Sequence, residues 1–252
     1  MPEEFKNRNL QGARFEHVDL SEARLHDLAM RDVRISGAWI MDLVIDGEIE
    51  GSLTVNGVDL LPALEAELNR RYPGREAIYA VMSSGVDSFR EAMRVLDEAW
   101  PTTIERLRHL TPEQVHERVD GDWSAVENIR HLVFAIDSWA KRALLGDPSP
   151  YDPLDLPHTE MGEVEGVPND LDARPSLDEV LALHADRLAV VREQIDALTD
   201  ERLEGMTEPN TARGYPEPET YPVRRCLAAC VHEEWEHRRY IERDLDKLAT
   251  RP

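Results

Sequence analysis

The chain has 252 residues, 41% hydrophobic and 32% charged, with 29 basic against 51 acidic side chains and a formal net charge of −22. That length and apolar content exclude wholesale disorder, and no apolar run nears the ~18 residues a membrane span needs. The acidic balance excludes general binding to a phosphate backbone and leaves plain solubility, or imitation of an acidic polymer, as what the charge is for.

The N-terminal MPEEFKNRNL has no apolar core segment, so no secretory leader is expected. From there apolar residues recur at every fifth position: Phe5, Leu10, Phe15, Leu20, Leu25, Met30, Ile35, Ile40 and Ile45. A second set, mostly small or apolar, runs two residues ahead: Ala13, Val18, Ala23, Leu28, Val33, Ala38 and Leu43. Neither a helix nor a strand has a period of five. A square-section solenoid does, and the segment resembles the pentapeptide-repeat family. That resemblance implies a short right-handed quadrilateral β-helix over about residues 3–47. Leu28 and Leu43 depart from the small residue the family favours at its second inward position. So short a stack leaves its ends uncovered and needs capping.

Next comes Leu53-Thr54-Val55-Asn56-Gly57-Val58-Asp59-Leu60, where Asn-Gly between β-branched residues predicts a hairpin. Pro62 opens a short helix to about Arg71, stopped by Tyr72-Pro73-Gly74. The division expected is 1–60 for the repeats with their hairpin cap, 61–83 for a helical linker and 84–252 for a helical domain.

Ala80-Val81-Met82-Ser83-Ser84-Gly85-Val86-Asp87-Ser88 resembles the phosphate loop of ATP pyrophosphatases, but Ser84 replaces a glycine and no alternating strands follow. A helix N-cap, with Asp87 or Ser84 accepting backbone N–H groups, accounts for it better. Four long helices are then expected. The first spans about Val86 to Leu110, with Pro101 kinking or splitting it. The second starts at the Ser124/Glu127 capping box and stops at Gly146; the third runs from about Ser176 to Leu198; the fourth from about Val223 to Leu248. Two Pro-rich connections, about 147–175 and 204–222, separate the last three. The fold class is mainly α: an up-down four-helix bundle behind a short β-solenoid.

Cys226 and Cys230, the two cysteines, lie four apart on the fourth helix, which suits a reducing cytoplasm better than a disulfide scaffold. The same helix carries His232-Glu233-Glu234-Trp235-Glu236-His237. The two histidines are five apart and about 140° around the helix, so they do not chelate one ion. Glu233 and His237 are four apart and can, on a stripe shared with Cys226, Cys230 and Ile241. A carboxylate and an imidazole in such a stripe are costly unless paired or metal-bound. His232 is expected to point away, and Trp235 to pack outward on the repeats or on a second subunit. His131 lies seven residues beyond the Ser124 cap. His109, His116, His158 and His184 are assigned to loops or solvated faces. Trp139, Tyr151 and Tyr221 either line a pocket mouth or pack.

Trp123-Ser124 opening a helix, His131 within two turns, and Glu233-x-x-x-His237 on the last helix together resemble the DinB family of metal-binding four-helix bundles. The resemblance covers about residues 84–248. It implies an open divalent-metal site held by His131, Glu233 and His237, with zinc ahead of nickel or iron. Members include thiol-dependent transferases and isomerases, among them the mycothiol-dependent maleylpyruvate isomerase, a branch with Glu where other members carry a His ligand. The expected function is therefore activation of a low-molecular-weight thiol toward a small electrophilic substrate, with no nucleic acid or membrane partner. The competing class is a non-enzymatic metal-binding interaction protein whose repeats dock a partner or form a homodimer. Acidic mimicry of duplex DNA fits less well, because Arg8, Arg14, Arg24, Arg31 and Arg34 nearly balance the acid of the repeat segment.

Overall fold

The computed structural model describes every residue except 1–3, 7, 26, 27, 46, 48, 50, 160, 251 and 252. The chain divides into two compact units, Met1–Glu50 and Gly51–Pro252.

In the first unit the five-residue period is written in the backbone. Gly12, His17, Glu22, Asp32, Gly37 and Asp42 all take positive φ, between 55° and 78°, at intervals of five or ten. Ala13 and Ala23 close turns onto the carbonyls of Leu10 and Leu20, at 2.9 and 3.0 Å. Asn9 and Asp19 accept the amides of Gln11 and Ser21. No strand is formed among the described residues of this unit. The expected inward row is also not covered: Phe5 to Ile45 are 45% to 69% exposed. The period therefore sets the turns, while a closed β-helix with an apolar interior is not shown among the described residues. Glu3, Asn7, His26, Asp27 and Asp46, within the expected 3–47 span, lie outside the described residues.

The second unit begins with the hairpin, β1 (Thr54–Val55) and β2 (Val58–Asp59), paired Thr54 to Asp59 and Val55 to Val58. Asn56 and Gly57 both have positive φ, as a type I′ turn requires. Helix α1 (Leu61–Arg71) has Pro62 in its first turn. Helix α2 (Arg75–Ala80) follows after Gly74 and was not foreseen. Gly74 is needed there: its φ is 95°, and a Cβ would come within 2.5 Å of Val95.

Four long helices carry the core: α3 (Val86–Arg108), α4 (Ala125–Ile136), α5 (Leu177–Asp196) and, after the four-residue α6 (Asp200–Leu203), α7 (Val223–Ala249). They bury Phe89, Leu96, Ile129, Leu132, Val191 and Leu227 among others. Around the ring α3 packs on α7, α7 on α4, α4 on α5 and α5 on α3. Helices α3 and α4, consecutive in the chain, thus occupy opposite corners rather than the adjacent ones of a simple up-down bundle. The connection 109–124, with 3₁₀ turns at Gln114–His116 and Val119–Gly121, is long enough to make that crossing.

Helix α3 is continuous through Pro101. The proline ring is exposed, so the carbonyl it deprives, four residues earlier at Asp97, is left on the solvent side rather than in the core. Gly85 is the N-cap of α3 with no side-chain cap, which corrects the assignment to Ser84 or Asp87: Asp87 pairs with Arg90 instead. The Ser124/Glu127 capping box forms in both directions, at 2.9 and 3.3 Å. Past Ile136 the winding loosens into a π segment, Asp137–Leu144, before Gly146 turns the chain at φ 75°. No helix among the described residues is long and apolar enough to cross a membrane.

A chain that starts at residue 51 should keep the helical core, because that core lies wholly within the second unit. Its circular dichroism at 222 nm per helical residue and its cooperative unfolding should match those of the full chain. Loss of cooperativity would show that the first 50 residues are part of one folding unit.

Candidate metal centre

Helices α4 and α7 pack face to face, which brings together residues a hundred positions apart. From α4, Asn128 and His131 are three apart and share a face; from α7, Glu233 and His237 are four apart and share another. Oε2 of Glu233 lies 3.1 Å from Nε2 of His237 and 3.6 Å from Nε2 of His131. One ligand atom from each of the three falls within 4.8 Å of the others. The imidazole centroids are 4.6 Å apart.

The orientation of both rings is fixed from behind. Nδ1 of His131 is 2.9 Å from the carbonyl of Leu156, so Nδ1 carries the proton. Nδ1 of His237 is 2.7 Å from Oδ1 of Asn128. The amide of Asn128 cannot be turned round, because its nitrogen donates to the carbonyls of Trp123 and Ser124 at 2.9 and 3.0 Å. His237 is therefore also the Nδ1–H tautomer. Both Nε2 lone pairs face the gap occupied by the Glu233 carboxylate. Backing each ligand imidazole with an acceptor is what metal-binding histidines need. The two imidazoles hold the Glu233 carboxyl well below its usual range despite burial, and burial pushes the His237 imidazole down. Glu233 and His237 are thus favoured in the deprotonated form that binds a cation. Two nitrogens and one oxygen suit a borderline divalent ion such as Zn²⁺ and leave a coordination position free.

His232 faces elsewhere, with Nε2 3.3 Å from the carbonyl of Ile78 and its ring 5.0 Å from Tyr79. Cys226 and Cys230 are free and buried on the core side. Burial pushes the Cys226 thiol up to about 12 and Cys230 upward as well, so neither is a ready nucleophile.

Access is from the Glu233 side. Its side chain is 37% exposed, against 7% for His131. Trp123 covers the other flank, 4.9 Å from His131 and 6.0 Å from His237. Phe134, one turn beyond His131, stacks on Tyr151 and Tyr215. These two tyrosines come from the two Pro-rich connections and lock them together: the Tyr151 hydroxyl donates to the Tyr215 carbonyl and accepts the Tyr215 amide. Buried arginines hold the same connections down. Arg130 donates to the carbonyls of Leu154 and Asp170, and Arg142 to those of Asn210, Ala212 and Pro216. Tyr151, left undecided by sequence, thus belongs to the site's rim, whereas Trp139 and Tyr221 pack edge to face on each other. Tyr215 and Asn128 were not singled out. Asn128 was findable, since it sits one turn before His131 on the same face; nothing in the sequence places Tyr215.

Two assignments are corrected. His184 is not on a solvated face. It is 3% exposed, and its Nε2 lies 2.7 Å from Oε1 of Glu234, whose other oxygen accepts from Trp100 at 2.8 Å. The α5 sequence hid this, because a buried histidine reads like a surface one until its partner is known. Trp235 is 2% exposed within the core of the second unit, not turned outward to the repeats or to another subunit. Helix α2, missed in the sequence, packs on α7 and adds a layer on that side. Of the remaining histidines, His116 meets the Pro175 carbonyl, and exposed His158 lies 5.8 Å from Tyr215.

The profile of the DinB superfamily matches residues 95–241, more than half of the chain. The chain belongs to the DinB superfamily. Its DinB region contains all three converging residues, and eight copies of the pentapeptide repeat match residues 4–37 ahead of it. Neither curated proteins nor solved structures yielded a match to this DinB chain.

Beside the DinB centre lies a buried acid. Asp155, next to Leu156, is fully buried, and neither carboxyl oxygen has a hydrogen-bond partner among the described residues. Burial pushes it up to about 9, with Asp137 and Asp152 adding to the rise and Arg187 opposing it. The unfolded chain releases this proton near pH 4, so the contribution is most favourable in acid and is lost as pH rises from about 4 to about 9. Asp155→Asn should remove that decline. Thermal midpoints at pH 5 and pH 8 should show the variant gaining on the wild type at the higher pH; an unchanged gap would place Asp155 in its ionised form.

Proposed function

We propose that this protein is a metal-dependent transferase or isomerase that activates a low-molecular-weight thiol toward a small electrophile. The observation that carries it is the convergence of two tautomer-locked imidazoles and one carboxylate on a half-open face. A divalent ion held by His131, Glu233 and His237, zinc ahead of nickel or iron, supplies Lewis acidity that lowers the pKa of a thiol or water beside it. Glu233 offsets part of the cation's charge. Leu156 and Asn128 keep the two imidazoles aimed. Trp123 shields one flank from bulk water, and Phe134, Tyr151 and Tyr215 form an aromatic wall beside the centre. The chain's own cysteines are buried and poorly acidic, so the nucleophile has to come from outside, as a mycothiol-type thiol would. Free buried cysteines also fit a reducing cytoplasm.

The test has two stages. Elemental analysis of protein purified without chelator should give one divalent ion per chain. A screen of small thiols with electrophilic acceptors, read as thiol consumption, should then show turnover that stops on chelation. Absence of metal removes the proposal; metal without thiol reaction at any acceptor removes the enzyme and keeps the metal-binding bundle.

The first unit supports a second role alongside this one. Its turns at five- and ten-residue intervals, with Trp39, Met41 and Val44 at 91%, 73% and 84% exposure, favour a repeat stack that closes into a β-helix when it docks or dimerises. Sedimentation of the full chain against residues 51–252 tests it: self-association confined to the full chain supports the role, and identical monomers oppose it.

A further inference from the structure

Arg225 stands out by what it lacks. In the second unit the other described arginines and lysines each meet a carboxylate, amide, hydroxyl or carbonyl oxygen. Among the described residues Arg225 meets none, in a chain of net charge −22 that is rich in acceptors. Its guanidinium is held instead by ring faces. The carbon centre lies 5.1 Å from the Trp139 ring and 5.4 Å from the Tyr221 ring. Those rings are nearly perpendicular, at 86°, so they form a corner that fixes the group in place. The residue is exposed. A stacked guanidinium keeps its N–H edge free for a planar acceptor.

The corner belongs to the same wall as the metal centre. Tyr215 lies edge-on to Trp139, with centroids 6.1 Å apart, and stacks on Phe134, whose ring is 5.8 Å from His131. The Tyr215 hydroxyl, which makes no hydrogen bond among the described residues, feels the charges of both Arg225 and Glu233. Along α7, Arg225 precedes Glu233 by eight residues, about 12 Å of helix rise. An aromatic track therefore joins the three converging ligands to one unpaired cation.

We infer that Arg225, set in the Trp139–Tyr221 corner, receives a carboxylate on the molecule whose other end docks at the His131–Glu233–His237 centre. This rests on the metal-centre reading of the proposed function. A carboxylate fits better than a phosphate ester. One guanidinium matches one negative charge, whereas a phosphate at neutral pH carries nearly two and the surroundings are acidic. The span selects acids whose reactive end and carboxylate are several bonds apart.

The test uses ω-mercaptocarboxylates from mercaptoacetate to 6-mercaptohexanoate, each beside the neutral mercaptoalcohol of the same length. Binding to the full-length cobalt-loaded protein is read from the cobalt absorption spectrum. The metal-free protein is titrated with pentanoate and read from the Trp139 indole resonance. The acid should bind about tenfold or more tighter than its alcohol at an intermediate chain length, and not at mercaptoacetate. The preference should shrink in 0.5 M salt, disappear in Arg225→Gln and largely return in Arg225→Lys. Equal binding of acids and alcohols at every length, or a preference that survives Arg225→Gln, overturns the assignment and leaves the metal centre standing. If cobalt does not load but pentanoate shifts Trp139 in the wild type and not in Arg225→Gln, the metal reading falls and the carboxylate site stands. Inorganic phosphate displacing pentanoate at lower concentration would overturn the choice of carboxylate.

Discussion

His131→Ala and His237→Ala should each reduce metal content from one ion per chain to near zero, as read by elemental analysis after gel filtration. Two remaining ligands seldom hold a divalent ion against water, and each histidine supplies one of the three donor atoms that converge among the described residues. Glu233→Gln keeps the shape and removes the charge, so it should weaken binding without abolishing it. His232→Ala should leave occupancy as it was, since that ring is directed to the Ile78 carbonyl. Asn128→Ala is the most diagnostic variant. Asn128 never reaches the ion, yet it sets the tautomer and tilt of His237, and loss of such a backing acceptor costs about 10–100-fold in metal affinity. An empty site in His232→Ala with a full one in Glu233→Ala would reverse the ligand assignment.

Glu234→Ala should destabilise the fold by about 3–5 kcal/mol, measured by urea unfolding, because removing one member of a buried hydrogen-bonded pair leaves the others unsatisfied. The carboxylate is 1% exposed and is met by Trp100 Nε1 and His184 Nε2 from two other helices. It therefore joins α3, α5 and α7 at one point. Glu234→Gln should cost less, about 1–3 kcal/mol, since the amide can accept one donor but turns its own N–H₂ on the other. A loss under about 1 kcal/mol for Glu234→Ala would mean that water replaces the carboxylate and that the network is not a structural joint. The contrast with Glu233 is instructive. Adjacent glutamates one helical step apart have different surroundings, one beside His131 and His237 and one in the core.

Much of the second unit was legible in the sequence because local rules act there without help. The Asn56-Gly57 turn, the Ser124/Glu127 box, the stop at Gly146 and the limits of α5 and α7 follow from capping and turn chemistry within a few residues. The helical spacing of Glu233 and His237, and the exclusion of His232, follow from 100° per residue alone. That His131 would join them rested on the likeness to a family, since no local rule relates positions 131 and 233.

Tertiary structure decided the rest, for identifiable reasons. Which corner of the ring each helix takes depends on how long a connection can cross the bundle's end, so chain order did not predict that α3 and α4 would be diagonal. Whether Pro101 breaks α3 depends on which side its orphaned carbonyl faces, and it faces water. Whether a histidine such as His184 is buried depends on finding Glu234 fifty residues away. The period of five in the first unit shows the same division of labour. Sequence set turns at five- and ten-residue intervals among the described residues, because short-range sterics and side-chain-to-amide bonds suffice for that. It did not cover the apolar row, because burial needs surfaces from elsewhere to close over it.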